Sequence, residues 1–193
     1  TLNFIRYAPL AAARVGNLVF ESQPSLVPLL AGIEGIDAVV ARAEVLPPFD
    51  MHIPLLSLPG IFGTTPETVP AAGPYLRTPA DIHLPLPAGN GLKVGLVWAG
   101  NPRNPNDPSR SVGLADLKVL LDVADCTFYS LQHGAPGDQI AAEAMQDKIH
   151  DLRPLLSDFA ATAALVDQLD LVISICTSVA HLAGGIGAET WVI

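Results

Sequence analysis

The sequence predicts an α/β protein whose strands run parallel in a sheet covered by helices on both sides. Three observations carry this. Short runs such as Val94-Gly95-Leu96-Val97-Trp98 and Leu171-Val172-Ile173-Ser174-Ile175 are apolar at successive positions, as expected for strands buried on both faces. These runs alternate with stretches of helical period, which is the grammar of βαβ units. A hydrophobic content of 50% with only 15% charge, over 193 residues, supplies a substantial core.

The elements follow in chain order. Asn17 to Glu21 reads as a strand, Pro24 to Leu30 as a helix with Ser22 or Gln23 near its start, and Asp37 to Val40 as a second strand, making one βαβ unit. Ten of the eighteen prolines then fall between Pro47 and Pro87, too close for helices and too uneven for a polyproline spacer, so this region is loop and short extended pieces. Within it, Ser57 to Thr68, with Gly60, Gly63 and little charge, is expected to pack against the first sheet. Residues 80–92, rich in Pro, Gly and polar side chains, separate an N-terminal domain (1–79) from a C-terminal domain (93–193).

The second domain reads as strand 93–98, polar loop 99–112, helix 113–123, strand 126–131, helix 136–146, a short strand near 149–152, helix 157–168, strand 170–175, helix 178–185 and strand 190–193. Ser157-Asp158 marks an N-cap, with Phe159, Leu165, Val166 and Leu169 as the buried face of the helix that follows. The sequence stops inside a strand, so the second domain reads as incomplete and the chain as a piece of a longer one. No internal repeat is visible.

Charge and composition exclude some classes. A formal charge of −9, with ten Lys and Arg scattered over the chain, argues against a general nucleic-acid surface, so an anionic ligand must be held locally. Cys126 and Cys176 lie in or beside buried strands, which suits reduced core thiols in a cytoplasmic protein better than a disulfide framework. Thr1 to Arg6 has no leader pattern. Segment 171–193 is the most apolar, but His181, Glu189 and Gly184-Gly185 interrupt it, so it is not expected to span a membrane.

Two turns of the second domain point to a ligand. Ligands of open parallel sheets sit at the carboxyl ends of strands, and a helix starting there aims unpaired N–H groups and a positive dipole end into the crevice. Strand 170–175 runs into Cys176-Thr177-Ser178-Val179 and then into an apolar, Gly-ended helix, a geometry that suits a phosphate. Strand 93–98 runs into Ala99-Gly100-Asn101-Pro102-Arg103, with Arg110-Ser111 further along the loop. Arg110 reads either as a phosphate contact, for which a planar guanidinium is well shaped, or as a loop residue paired with Asp107. Arg103 either joins it or flanks a turn. Thr177 and Ser178 read as N-cap groups, phosphate donors or both. His181 reads as a core histidine or a donor-site residue. Gln132, His133, Gly134 and Asp138 lie near a base or ribose under the same crevice rule, or form an ordinary loop and helix cap. Leu155 and Leu156 line a base pocket or a packed core. In the first domain Arg6 and Tyr7 are placed to face the cleft, His52 follows a strand-like run, and Asp50 and Glu21 are carboxylates at predicted strand ends; none is assigned a role.

In this order, Val94 to Arg103, Arg110-Ser111, Phe128 to Gln132, Asp158-Phe159-Ala160 and the 171–187 segment resemble the glycosyltransferase-like region of bacterial tetratricopeptide-repeat proteins. That region is similar to the lipopolysaccharide heptosyltransferases and, more distantly, to the O-linked N-acetylglucosamine transferases. The likeness extends through Phe4-Ile5-Arg6-Tyr7, Pro47 to Asp50 and Pro54 to Pro59, and so covers nearly the whole chain. It implies GT-B architecture: two facing Rossmann-like domains, a nucleoside-diphosphate sugar held mainly by the second, an acceptor glycan or protein by the first, no metal and no separate cofactor. It also implies possible tetratricopeptide repeats in the parent protein. Under it, Asn101, Arg103, Arg110, Ser111, Gln132, Asp138, Thr177, Ser178, Val179 and His181 are the donor-binding candidates.

The chain departs from the pattern at three places. Cys176 stands where the family usually has Asp, and Ala188-Glu189 replace the usual Lys-Pro. The family's Gly-rich loop, ending in a candidate general base, would precede Thr1, so under the resemblance the first domain also reads as incomplete and no catalytic residue is assigned. The leading expectation is a metal-independent glycosyltransferase. The alternatives are a non-catalytic nucleotide-sugar-binding or interaction module with a degenerate site, and an epimerase of the UDP-sugar type.

Overall fold

A computed structural model of the chain describes residues 1–70 and 73–193. Five parallel strands form the main sheet: β3 (Leu92–Val97), β4 (Cys126–Ser130), β5 (Ile149–Asp151), β6 (Leu171–Ser174) and β7 (Thr190–Val192), in the order β5-β4-β3-β6-β7. The first of these in sequence lies at the centre. The chain moves outward through β4 and β5, crosses back to β6, and moves outward again to β7. This is the Rossmann-like order, and its direction reverses between β3 and β6. Val94 pairs with Leu171 and Val97 with Ser174 across that central seam.

Alternation along the strands feeds two cores. Val94 and Leu96 on β3, Trp98 just past its end, Phe128 on β4 and Ile149 on β5 face one side, under Leu114, Leu121 and Ile140. Val97, Tyr129 and Val172 face the other, under Leu165, Val166, Val179 and Ala183. All four residues of β6 are buried, as the unbroken apolar run requires of a strand covered on both faces.

The predicted strands are all present to within two residues at either end. The helices of the first face are shorter than predicted. Where 113–123 and 136–146 were expected, a 3-10 turn leads into a single α turn: Leu114–Leu117 into α4 (Lys118–Leu121), and Ala135–Asp138 into α5 (Gln139–Ala142). Left-handed backbone at Asp125 (φ 57°) and Ala144 (φ 52°) follows these helices and redirects the chain into the next element.

On the second face α6 (Phe159–Val166) and α7 (Ser178–Ile186) are full helices. Asp158, in extended backbone, caps α6 by accepting from the amide of Ala161 at 2.8 Å. Replacing it with alanine is expected to cost about 1 kcal/mol, read as a lower urea midpoint with an unchanged slope. α7 ends at Gly187, whose φ of 87° is the left-handed conformation that favours glycine.

The N-terminal half contains the predicted βαβ unit. β1 (Val19–Ser22) and β2 (Ala38–Ala41) are parallel, joined by a 3-10 turn at Pro24–Leu26 and α2 (Val27–Leu30). A 3-10 turn at Ile5–Tyr7 and α1 (Ala8–Ala12) precede them. Ser57 to Thr68 differs from expectation in two ways. It is helical in part, with α3 at Leu58–Ile61 and a 3-10 turn at Pro66–Thr68, because Pro59 and Pro66 sit in first-turn positions where a missing N–H costs nothing. It also packs on the first helical segment: Phe62 stacks on Tyr7 with ring centres 6.3 Å apart, and the Arg14 guanidinium lies over Phe62 at 4.5 Å.

The two halves share one core. Leu2, Ile5, Ala8, Leu26, Leu29 and Leu30 pack with Leu76, Ala160, Ala163 and Leu182, so the βαβ unit rests on α6 and α7. This explains α6, whose residues Ala160 to Val166 are all buried. A helix packed on the sheet side and on the far side is apolar all round, and its buried surface is therefore wider than Phe159, Leu165, Val166 and Leu169. Segment 80–92 is bound along the second half. Leu84 and Leu86 join its core, Gln168 Nε2 donates to Leu84 O at 2.8 Å, and the buried Tyr129 hydroxyl donates to Pro87 O at 2.9 Å. Among the described residues no helix is long and apolar enough to cross a membrane.

Candidate functional site

The reversal between β3 and β6 puts two loops beside each other at the carboxyl ends of the sheet. The first, 98–112, is a closed excursion: the Val112 amide donates to Trp98 O at 2.9 Å and ties its two ends together. Inside it, Asn101 Oδ1 accepts from the amide of Arg103 at 3.0 Å, Asn104 Oδ1 does the same for Asn106, and Ser111 Oγ accepts from the amide of Gly100 at 2.9 Å. These are short side chains folding their own backbone into turns. A 3-10 turn at Asp107–Ser109 then delivers Arg110.

Arg110 spans the seam. Its Nη1 donates to the carbonyl oxygen of Cys176 at 2.9 Å, and its Nε lies 3.3 Å from Oδ1 of the buried Asp107. The second loop is the turn from β6 into α7. Ser174 Oγ and Thr177 Oγ1 lie 3.0 Å apart, and Thr177 caps α7 in extended backbone without a side-chain capping bond. No described residue accepts a hydrogen bond from the amides of Thr177, Ser178 or Val179. Cys176 and Ser178 are exposed and Thr177 is half-buried, so this turn opens to solvent.

The arrangement can hold an anion. The start of α7 supplies oriented N–H groups and a positive dipole end, Ser178 adds an exposed hydroxyl, and Arg110 adds a guanidinium with an Nη2 edge that neither Asp107 nor Cys176 uses. Asp107 offsets much of the charge of Arg110, so the attraction is local rather than long-range. Arg110, Ser111, Thr177, Ser178 and Val179 are thus gathered at one seam, with Asn101 and Arg103 exposed in the loop above β3.

Other candidates are placed elsewhere. Gln132, proposed for a base or ribose, is buried and committed to the fold. Its Oε1 accepts from the amides of Trp98 (3.1 Å) and Ala99 (2.9 Å), and its Nε2 donates to Ala99 O (2.9 Å) and His133 O (3.1 Å). The amide clamps the tip of β4 to that of β3 and has no group left for a ligand. Asp138 does not cap α5; its Oδ1 meets Arg153 Nη1 at 2.5 Å. His181 is exposed, on the side of α7 away from Val179, Leu182 and Ala183, so it is not a core histidine. Cys176 is exposed and Cys126 half-buried, in place of two core thiols. Leu156 is core, and Leu155 packs half-buried against it. Arg6 is occupied with Asn3 O and Pro70 O, with its guanidinium 4.2 Å from the Tyr75 ring centre, and Tyr7 is buried. His52, Asp50 and Glu21 are exposed.

Sequence reasoning did not foresee the cluster at the tips of β4 and β5. Arg153 Nη2 lies 2.7 Å from Asp151 Oδ2 while Nη1 reaches Asp138. Spacing of two between Asp151 and Arg153 hinted at the first pair, and nothing hinted at the second. Burial pushes the Asp151 carboxyl up, but the hydrogen bonds and charge of Arg153 outweigh it and hold it below the ordinary value of 3.8. A lowered native pKa contributes stability above the ordinary value and loses it as the pH falls through the native one. The stability difference between wild type and Arg153→Ala is therefore expected to stay level from neutral pH down to about pH 5 and to shrink below 3.8, as read from urea unfolding across that range.

Two hollows flank the outer edge of β5. One of about 230 Å³ is lined by Ile140, Gln146, His150, Asp151 and Arg153; another of about 360 Å³ lies by Asn90, Cys126, Thr127 and Lys148. Neither touches the β3–β6 seam, where Arg110 bridges the space between the loops. The seam has uncommitted donors, whereas Arg153 is already shared by two carboxylates. No group of three or more His, Cys, Asp or Glu among the described residues is arranged to hold a metal ion. No protein-family model, curated protein or solved structure matches this chain.

Proposed function

We propose that the chain binds the diphosphate of a nucleotide sugar at the β3–β6 seam and works as the donor-binding part of a metal-independent glycosyltransferase of GT-B type, in a cytoplasmic setting. The observation that carries the reading is the Arg110 Nη1 to Cys176 O contact at 2.9 Å, which joins the loop after β3 to the start of α7 at the sheet's switch point. In transfer, the sugar–phosphate bond breaks and negative charge gathers on the departing diphosphate. Arg110 and the amides of Thr177 to Val179 are positioned to stabilise that charge, a role that needs fixed donors and no reorganisation. The acceptor glycan or protein hydroxyl must lose a proton to a base. Asp107 is committed to Arg110, and no residue is assigned to that step.

A second reading, a nucleotide-sugar-binding module without turnover, is favoured by Cys176. It stands where the transferases that the sequence resembles usually carry Asp, and it contributes its carbonyl oxygen rather than its side chain. Calorimetric titration with ADP- and UDP-linked sugars tests the shared core of both readings. Saturable heat with either nucleotide supports donor binding, and no heat with any of them rejects both. Release of free sugar or transfer to an added acceptor then separates enzyme from binding module.

A further inference from the structure

We propose that Asp107 is the positioning residue of this anion niche: through Arg110 Nε it fixes the guanidinium across the seam and decides which donors are left for a diphosphate. The inference rests on the reading of the seam as a diphosphate site. Three observations on this chain carry it.

Asp107 is buried, with only 9% of its side chain exposed, in a loop that is otherwise largely open to solvent. A buried carboxylate held by one partner at 3.3 Å stabilises little by itself, because desolvation offsets most of the attraction. Its effect is on where Arg110 sits. Nε is turned to Asp107 and Nη1 to Cys176 O, which fixes the plane of the group and leaves Nη2, beside Gly100, without a hydrogen-bond partner among the described residues.

Gly100 completes the device. A Cβ there would overlap Oδ1 of Asp107 and come within 2.7 Å of Arg110 Nη2, so the backbone of the loop's first limb lies directly against the ion pair. The Gly100 amide is itself fixed by Ser111 Oγ, the residue after Arg110. Asp107, Arg110, Ser111 and Gly100 therefore lock both limbs of the loop around one guanidinium. An untethered arginine would lose much of its rotamer freedom on binding a ligand; here that ordering is in place beforehand.

The test compares wild type with Asp107→Asn, which keeps an oxygen acceptor for Nε, and Asp107→Ala, which does not. The first readout is the NMR signal of the Arg110 Nε–H, which needs no ligand. It is expected to be slowly exchanging in wild type and Asp107→Asn and lost in Asp107→Ala. The second is ADP or UDP affinity, expected to fall about tenfold in Asp107→Ala and to be recovered in Asp107→Asn, the size of one ordered charged contact. In an Arg110→Ala background the Asp107→Ala loss should vanish. A protected Nε–H in Asp107→Ala, an Asp107→Asn variant as weak as Asp107→Ala, or an Asp107→Ala loss that persists without Arg110 would each overturn the assignment. If wild type binds neither nucleotide, the diphosphate reading fails, and the Nε–H signal alone decides whether Asp107 positions Arg110.

Discussion

Gln132→Ala is expected to destabilise the protein by about 3 to 5 kcal/mol, the largest effect of any polar substitution in the second half. The residue is 2% exposed and its side chain makes four hydrogen bonds, all to backbone groups at the tips of β3 and β4. Truncation leaves the Trp98 and Ala99 amides and two carbonyls without their partner. Each orphaned buried group costs about 1 to 3 kcal/mol, with partial relief where water enters. The expected measurement is a lower urea midpoint at an unchanged slope. A loss below about 1 kcal/mol would mean that the clamp is not formed. Gln132→Glu refines the test, since it keeps the acceptor and loses at least one of the two donors. Its buried carboxyl would favour the neutral form, which can donate once, so its deficit should grow as the pH rises.

Arg110→Ala is expected to weaken nucleoside-diphosphate binding by about 1.5 to 3 kcal/mol, or about 10- to 150-fold, the range for a charged hydrogen bond. It would also leave Asp107 buried without its cation, so some stability should be lost as well. Two further variants separate these effects. Arg110→Ala with Asp107→Asn removes the orphaned charge and should restore stability without restoring affinity. Arg110→Lys keeps the charge but cannot span Asp107 and Cys176 O with one planar group, and should recover only part of the affinity. Unchanged affinity in Arg110→Ala would reject its place in the site.

Where one periodicity governs, the sequence was legible. β3, β4 and β6 are apolar on both faces because the sheet is covered on both faces, and that pattern can be read residue by residue. The start of α7 was legible for the same reason: an apolar run followed by Thr177-Ser178 leaves few alternatives to strand, turn and helix. What escaped depends on contacts between distant segments. The all-round burial of α6 follows from a helix of the first half, α2, lying across it, and no local window contains both. Gln132 has the address of a ligand residue, at a strand end beside the crevice, and its other role emerges only when Ala99 is placed opposite it. Of the two readings of Arg110, the structure shows the pairing with Asp107. The pairing with Asp107 and the place at the seam coexist, because a guanidinium has edges enough for both.

The central claim is that the crevice between β3 and β6 is the ligand site, and backbone-amide NMR during a titration with ADP or UDP tests it most directly. Saturable shifts are expected at Thr177, Ser178 and Val179 and along residues 100–111, with Arg110→Ala suppressing them. Shifts centred instead on residues 146–153, beside the hollows at the edge of β5, or no shift with either nucleotide, would contradict it.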